Sequence, residues 1–147
     1  MNVTPAFPRL SNESLEEHRQ VHFHLDQLAR ALDDLDPATA DEDRLRDLTA
    51  RIESLKHHVQ EHFRTEEESG LFQAVLDAVP QYEADVKRLA AQHERMIESL
   101  ETARILAKRC EPSESALLKS DLGRILEMMR EHEQEEDALV RRALQKA

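Results

Sequence analysis

The sequence predicts an all-α protein, an antiparallel bundle of four helices in up-down-up-down order. Three observations predict it. The 147 residues include only two glycines and five prolines, and 35% of them are charged, a composition rich in Glu, Leu, Arg and Ala that favours long helices. Apolar residues recur three and four apart through four long stretches, the period of an amphipathic helix. Short breaks separate those stretches, and short connections make antiparallel neighbours the economical packing.

Residues 1–11 are expected to be an N-terminal arm, and residues 12–147 the bundle domain. Pro5 and Pro8 should hold residues 1–10 extended, with Phe7 packed against the domain. Ser11 or Asn12 is placed to cap the first helix, about 12–35, with acids at 13, 16 and 17 in its first turns. Its stripe is Leu15, His18, His22, Leu25, Leu28, Leu32 and Leu35. His24 falls off that stripe and is expected in solvent. Asp36-Pro37 ends the helix, and Thr39 with Glu42 forms a capping-box pattern opening the second.

The second helix runs to about Glu68, where Ser69-Gly70 interrupts it. Its stripe passes from Leu45, Leu48, Ile52 and Leu55 to His62 and Glu66. Leu71 to Ala78 reads as a short helical continuation or a tight connection. Pro80 suits the first turn of a third helix, about 81–109, whose stripe is Tyr82, Val86, Leu89, His93, Met96, Leu100 and Ala103. Glu111-Pro112-Ser113 breaks and recaps the chain. A fourth helix, about 114–145, carries Leu118, Leu122, Ile125, Met129, His132, Glu136, Leu139 and Ala143.

Bulk properties exclude several functions. A formal net charge of −11 would repel nucleic acid and anionic membranes. No apolar run approaches the roughly 20 residues of a membrane span, and Met-Asn-Val-Thr-Pro lacks the start of a secretory signal. The lone Cys110 points to a reducing, cytoplasmic setting. There is no Ser-His-Asp arrangement, phosphate-binding glycine loop or basic patch, so no catalytic residue is assigned.

Polar residues on core-facing positions carry the chemistry. In an antiparallel hairpin, residues equidistant from the turn share a height. His18 and His62 are centred on residue 40, His62 and His93 near 77, and His93 and His132 between 112 and 113. All three centres lie in predicted connections, so the four histidines should fall on one level, with Glu66 and Glu136 one turn, about 5.4 Å, along. The two halves repeat this pattern, a histidine on one helix followed by His-x-x-x-Glu on the next.

Four imidazoles and two carboxylates in an apolar bundle are costly without a partner. Nitrogen and oxygen donors without thiolate suit iron, manganese or zinc, and a carboxylate can bridge two ions. Against roughly twelve positions on two octahedral ions, these residues supply about eight. The remainder suits a bridging oxide or hydroxide and an external ligand.

The order His18, His62-x-x-x-Glu66, His93, His132-x-x-x-Glu136 resembles the hemerythrin-like, HHE cation-binding proteins. Glu17-His18-Arg19, His62-Phe-Arg-Thr-Glu-Glu with Gly70, and Gln-His93-Glu are similar to that family's local motifs. The resemblance covers about residues 12–145. It implies a four-helix bundle with a non-haem di-iron centre that binds oxygen, nitric oxide or peroxide. Glu66 and Glu136 would bridge the ions and the four histidines would be terminal ligands, with zinc or manganese as alternative metals.

This sequence departs from the oxygen carriers, which place two histidines one turn apart on helix 3. Here Leu89 and Ile97 flank His93 at that spacing. Their helix-4 carboxylate lies five residues after its histidine, the position of Asp137, whereas Glu136 fits the branch with His-x-x-x-Glu on both helices. One histidine fewer favours redox reactivity, sensing or iron handling over oxygen storage. The competing readings are a peroxide-consuming oxidoreductase and a partner-binding bundle with zinc or no redox-active metal. The chain would be a monomer or homodimer, its protein partner unspecified.

Other candidates have plainer expectations. His22 and His58 share a height and suit a second-layer or substitute-ligand role. His57 should face water, and so should Glu67, Glu68, Glu133 and Glu135. Met96, Met128 and Met129 fit the core, and Cys110 should lie far from the site.

Overall fold

The computed structural model describes residues 7–146 and contains five α-helices, with no strand among the described residues. They are α1 (Phe7–Asp33), α2 (Glu42–Ser69), α3 (Leu71–Ala78), α4 (Glu83–Arg109) and α5 (Ser115–Lys146). Single 3-10 turns at Pro80–Tyr82 and Pro112–Glu114 lead into α4 and α5. No described helix is long and apolar enough to cross a membrane.

The first helix starts earlier than the sequence suggests. Residues 1–6 of the expected arm lie outside the described residues, but residues 7–10 are helical, and Ser11 is a buried position within α1 rather than its cap. Pro8 falls in the first turn, where no backbone N–H is needed. Phe7 is fully buried, and burying such a side chain contributes roughly 1.5–3 kcal/mol. The second helix is capped by the Asp41 side chain, which accepts from the Arg44 backbone N–H at 2.8 Å, in place of the expected Thr39–Glu42 pair. Gly70 ends α2 with φ 85°, a conformation that glycine adopts without steric penalty. The expected recapping at Glu111 takes the form of reciprocal hydrogen bonds between Glu111 and Glu114.

Long helices contact one another in a ring: α1 lies against α2 and α5, and α4 lies against α2 and α5. Cross-helix polar pairs fix the alignment. Arg130 meets Asp26, Lys119 meets the Leu35 carbonyl, Lys56 and Arg104 meet α4 and α2 acids respectively, and Arg88 meets Glu135. The short α3 touches all four long helices and closes one end of the assembly.

The apolar interior falls into two clusters. The larger includes Leu25, Ile52, Leu55, Leu100, Leu122 and Met129. The smaller joins Phe7 and α3 residues Leu71 and Val75 to Leu89, Leu139 and Val140. The buried faces match the predicted stripes with three one-residue shifts, Ser14, Val21 and Leu126 being buried where Leu15, His22 and Ile125 are half-buried, and Tyr82 is half-buried as well. Met96 and Met129 are core residues, whereas Met128 is partly exposed.

Candidate metal centre

Between the two apolar clusters lies a layer of buried polar side chains. His18, His62, Glu66, His93, His132 and Glu136 are all buried and in mutual contact, so the structure brings these six together, while His22 and His58 stay half-buried outside the layer. Each of the six reaches this layer because it occupies the core-facing stripe of its helix, at the height set by the connections.

The two carboxylates each face two ways. Glu66 Oε1 lies 2.7 Å from His62 Nε2 and 2.8 Å from His18 Nε2, while its Oε2 lies 3.4 Å from His93 Nε2. Glu136 Oε2 lies 3.1 Å from His18 Nε2, while its Oε1 lies 2.9 Å from His93 Nε2 and 2.5 Å from His132 Nε2. The donors therefore form two groups, one around His18 and His62 and one around His93 and His132.

All four imidazoles turn Nε2 inward and bond outward through Nδ1. His18 Nδ1–H donates to Asp137, His62 to Glu17 at 2.9 Å, His93 to Glu67 at 3.3 Å, and His132 to the Gln92 side-chain oxygen at 2.7 Å. Such outer bonds fix the tautomer and ring orientation and leave Nε2 free to ligate. Phe63 lies flat on His93, with ring centroids 3.9 Å apart and planes 3° apart.

Charge within the layer is strongly perturbed. Burial disfavours charge on His18, but hydrogen bonds to Asp137, Glu136 and Glu66 outweigh it and raise the pKa far above 6.5. On His62, burial is likewise overcome by Glu133 and Glu66, and the pKa is pushed up to about 10. His93 is raised too, its burial offset mainly by Glu136. Burial and the neighbouring Glu136 charge raise Glu66. Glu136 lies well below the usual carboxylate range because His132, His18 and His93 overcome its burial.

Despite these short ionic contacts, several buried polar atoms make no aligned hydrogen bond: His62 Nε2, Glu66 Oε2, His132 Nε2 and both Glu133 oxygens. Clustered orphans of this kind are rare in folded proteins, and they combine nitrogen with anionic oxygen. A cation would meet both needs, so the side chains fit a metal. Donor atoms of His18, His62, Glu133 and Glu136 lie within 4.8 Å of one another, as do those of His93, His132 and Glu136.

Three expectations need correction. Glu133 is not solvated: it is 1% exposed, and its Oε2 lies 3.1 Å from His18 Nε2. Its position, four residues after Met129 and three before Glu136 on the same stripe, was the signal that could have placed it inside. Glu67 is exposed as expected yet reaches His93, so it is not simply a solvated acid. His24 is half-buried, and it is His24 rather than His22 that packs against His58, with centroids 4.4 Å apart and the rings tilted by 45°. Burial and the neighbouring His24 and His62 lower the His58 pKa. Cys110 lines a surface hollow of about 580 Å³ with Leu45 and Thr49, well away from the polar layer. Beside Glu66 opens a crevice of about 20 Å³ lined also by Ser14, Glu17 and Thr65, room for about one water-sized molecule.

The family model described as hemerythrin HHE cation binding domain matches residues 6–144. Comparison with curated proteins gave no match, and comparison with solved structures gave none. The match spans the helices that bring the buried histidines and glutamates together, and the chain belongs to the hemerythrin HHE cation-binding domain family.

Proposed function

We propose that this protein is a non-haem di-iron protein that binds a small ligand, oxygen, nitric oxide or peroxide, for sensing, redox protection or iron handling. The observation that carries the reading is the two-way orientation of Glu66 and Glu136. Each offers one oxygen to the His18–His62 group and the other to the His93–His132 group, as carboxylates shared between two ions would. Imidazole and carboxylate donors without thiolate suit iron, with manganese and zinc as alternatives. We read the long helices as an up-down-up-down bundle, which is supported by the opposed order of the cross-helix pairs and is the framework on which such centres are built.

In this reading His18, His62, His93 and His132 would hold the ions through Nε2, and Glu66 and Glu136 would be shared between them. Bound there, two redox-active ions would supply a position that takes up a small ligand and exchanges electrons with it. The chain does the rest. Asp137, Glu17, Glu67 and Gln92 hold the four Nδ1 protons outward. Phe63 fixes the His93 ring. Apolar clusters on both sides keep bulk water out, and the narrow crevice beside Glu66 admits only small molecules.

Metal analysis of protein expressed with ample iron tests this. Two irons per chain and an oxo-to-iron absorption band are expected. A zinc-loaded or metal-free protein under those conditions would contradict it.

A further inference from the structure

We infer that Glu133 is itself a metal ligand, which completes the His18–His62 side and directs an external ligand to the His93–His132 side. This rests on the two-ion reading of the site. Facing His18 and His62 are Glu66 Oε1, Glu136 Oε2 and Glu133 Oε2, five protein donors with the two Nε2 atoms. Facing the His93–His132 position are Glu66 Oε2 and Glu136 Oε1, four with their Nε2 atoms. The centre is therefore lopsided, and the side poorer in protein donors has more coordination to offer.

A structural role for Glu133 does not account for its surroundings. Its carboxylate is buried and neither oxygen has a hydrogen-bond partner. The nearest nitrogen, His18 Nε2, already lies within 3.1 Å of three carboxylate oxygens, at 2.8, 3.1 and 3.1 Å. One imidazole nitrogen carries one proton, so it can serve only one of them well. A buried anion left over in this way calls for a cation.

The test uses the full chain, stripped of metal and loaded anaerobically with ferrous iron. Glu133→Gln keeps shape and removes the charge. It is expected to weaken one of the two iron-binding steps by at least about tenfold, since even outer-layer partners of a ligand affect affinity by that much. After oxidation at saturating iron, azide should bind once per centre in the unaltered protein and twice in Glu133→Ala, where the second side is opened. If Glu133→Ala does not fold, the Glu133→Gln affinity decides alone. Equal binding of two irons by unaltered protein and Glu133→Gln overturns the assignment while leaving the di-iron reading intact. No iron binding by the unaltered protein overturns both.

Discussion

Asp137 on α5 accepts a hydrogen bond from His18 Nδ1 on α1, while its neighbour Glu136 turns inward to three histidines. Two adjacent acids thus divide two tasks. About 100° of helix separates them, enough to put one carboxylate in the polar layer and the other behind a ring that lines it. Asp137→Asn should keep the fold and weaken metal binding, by roughly 10–100-fold if it behaves as other outer partners of ligating histidines do. Glu136→Gln should cost more, because it removes the shared negative charge and replaces one of the two oxygens facing the ion positions with an amide nitrogen. Competition titration of both variants against a chelator checks the order, and a larger loss in Asp137→Asn would reverse the two roles.

Glu17 offers the same test on another helix. It accepts from His62 Nδ1 at 2.9 Å and is only half-buried, so its loss should leave the core intact. Glu17→Ala is expected to hold metal roughly 10–100-fold more weakly with little change in the melting temperature of the metal-free protein. Calorimetric titration and a thermal melt distinguish that outcome from simple unfolding.

Protons should compete with metal for the site. The His62 pKa is pushed up to about 10 and those of His18 and His93 are also raised, so the metal-free protein holds protons on these rings more tightly than free imidazoles do. Metal needs them neutral, so binding should release protons and tighten as pH rises. The linked stability has the opposite sense. A raised folded pKa means the His62 contribution is complete below about 6.5, its unfolded value, and is lost as pH rises through about 10. The metal-free protein should therefore lose stability over that range, which melts at pH 6, 8 and 10 would reveal, and the metal-loaded form should be less affected.

Midway along α2, Lys56 meets Glu101 of α4 at 2.7 Å, and Glu101 also pairs with Arg104 of its own helix. Arg104 and Lys56 hold its carboxyl down to about 2, against an ordinary value of 4.5. The depressed folded pKa gives a contribution present above 4.5 and lost as pH falls toward 2. Glu101→Gln should melt slightly earlier than the unaltered protein at pH 7, in a salt-sensitive way, and the difference should vanish near pH 2.

Much of this was legible in the sequence because helices impose a fixed period. His18, His62, His93 and His132 interrupt leucine stripes at matched distances from the breaks, and the structure places them in one layer. What escaped needed its partners in view. Glu133 lies on the stripe, four residues after Met129 and three before Glu136, but an acid there reads as solvated until the facing histidines of other helices are in place. Likewise Asp137 finds its partner on α1, which no spacing within α5 can reveal. The start of α1 escaped because Pro5 and Pro8 signal extended chain locally, whereas the pocket that takes Phe7 is built by α3 and α5.

The central claim is that Glu66 and Glu136 join two metal positions, one at His18–His62 and one at His93–His132. Anomalous scattering at the iron edge from a crystal of iron-loaded protein tests it most directly. Two peaks flanked by these carboxylates, each against one histidine pair, are predicted. A single peak, or none within reach of the four Nε2 atoms, would contradict the account.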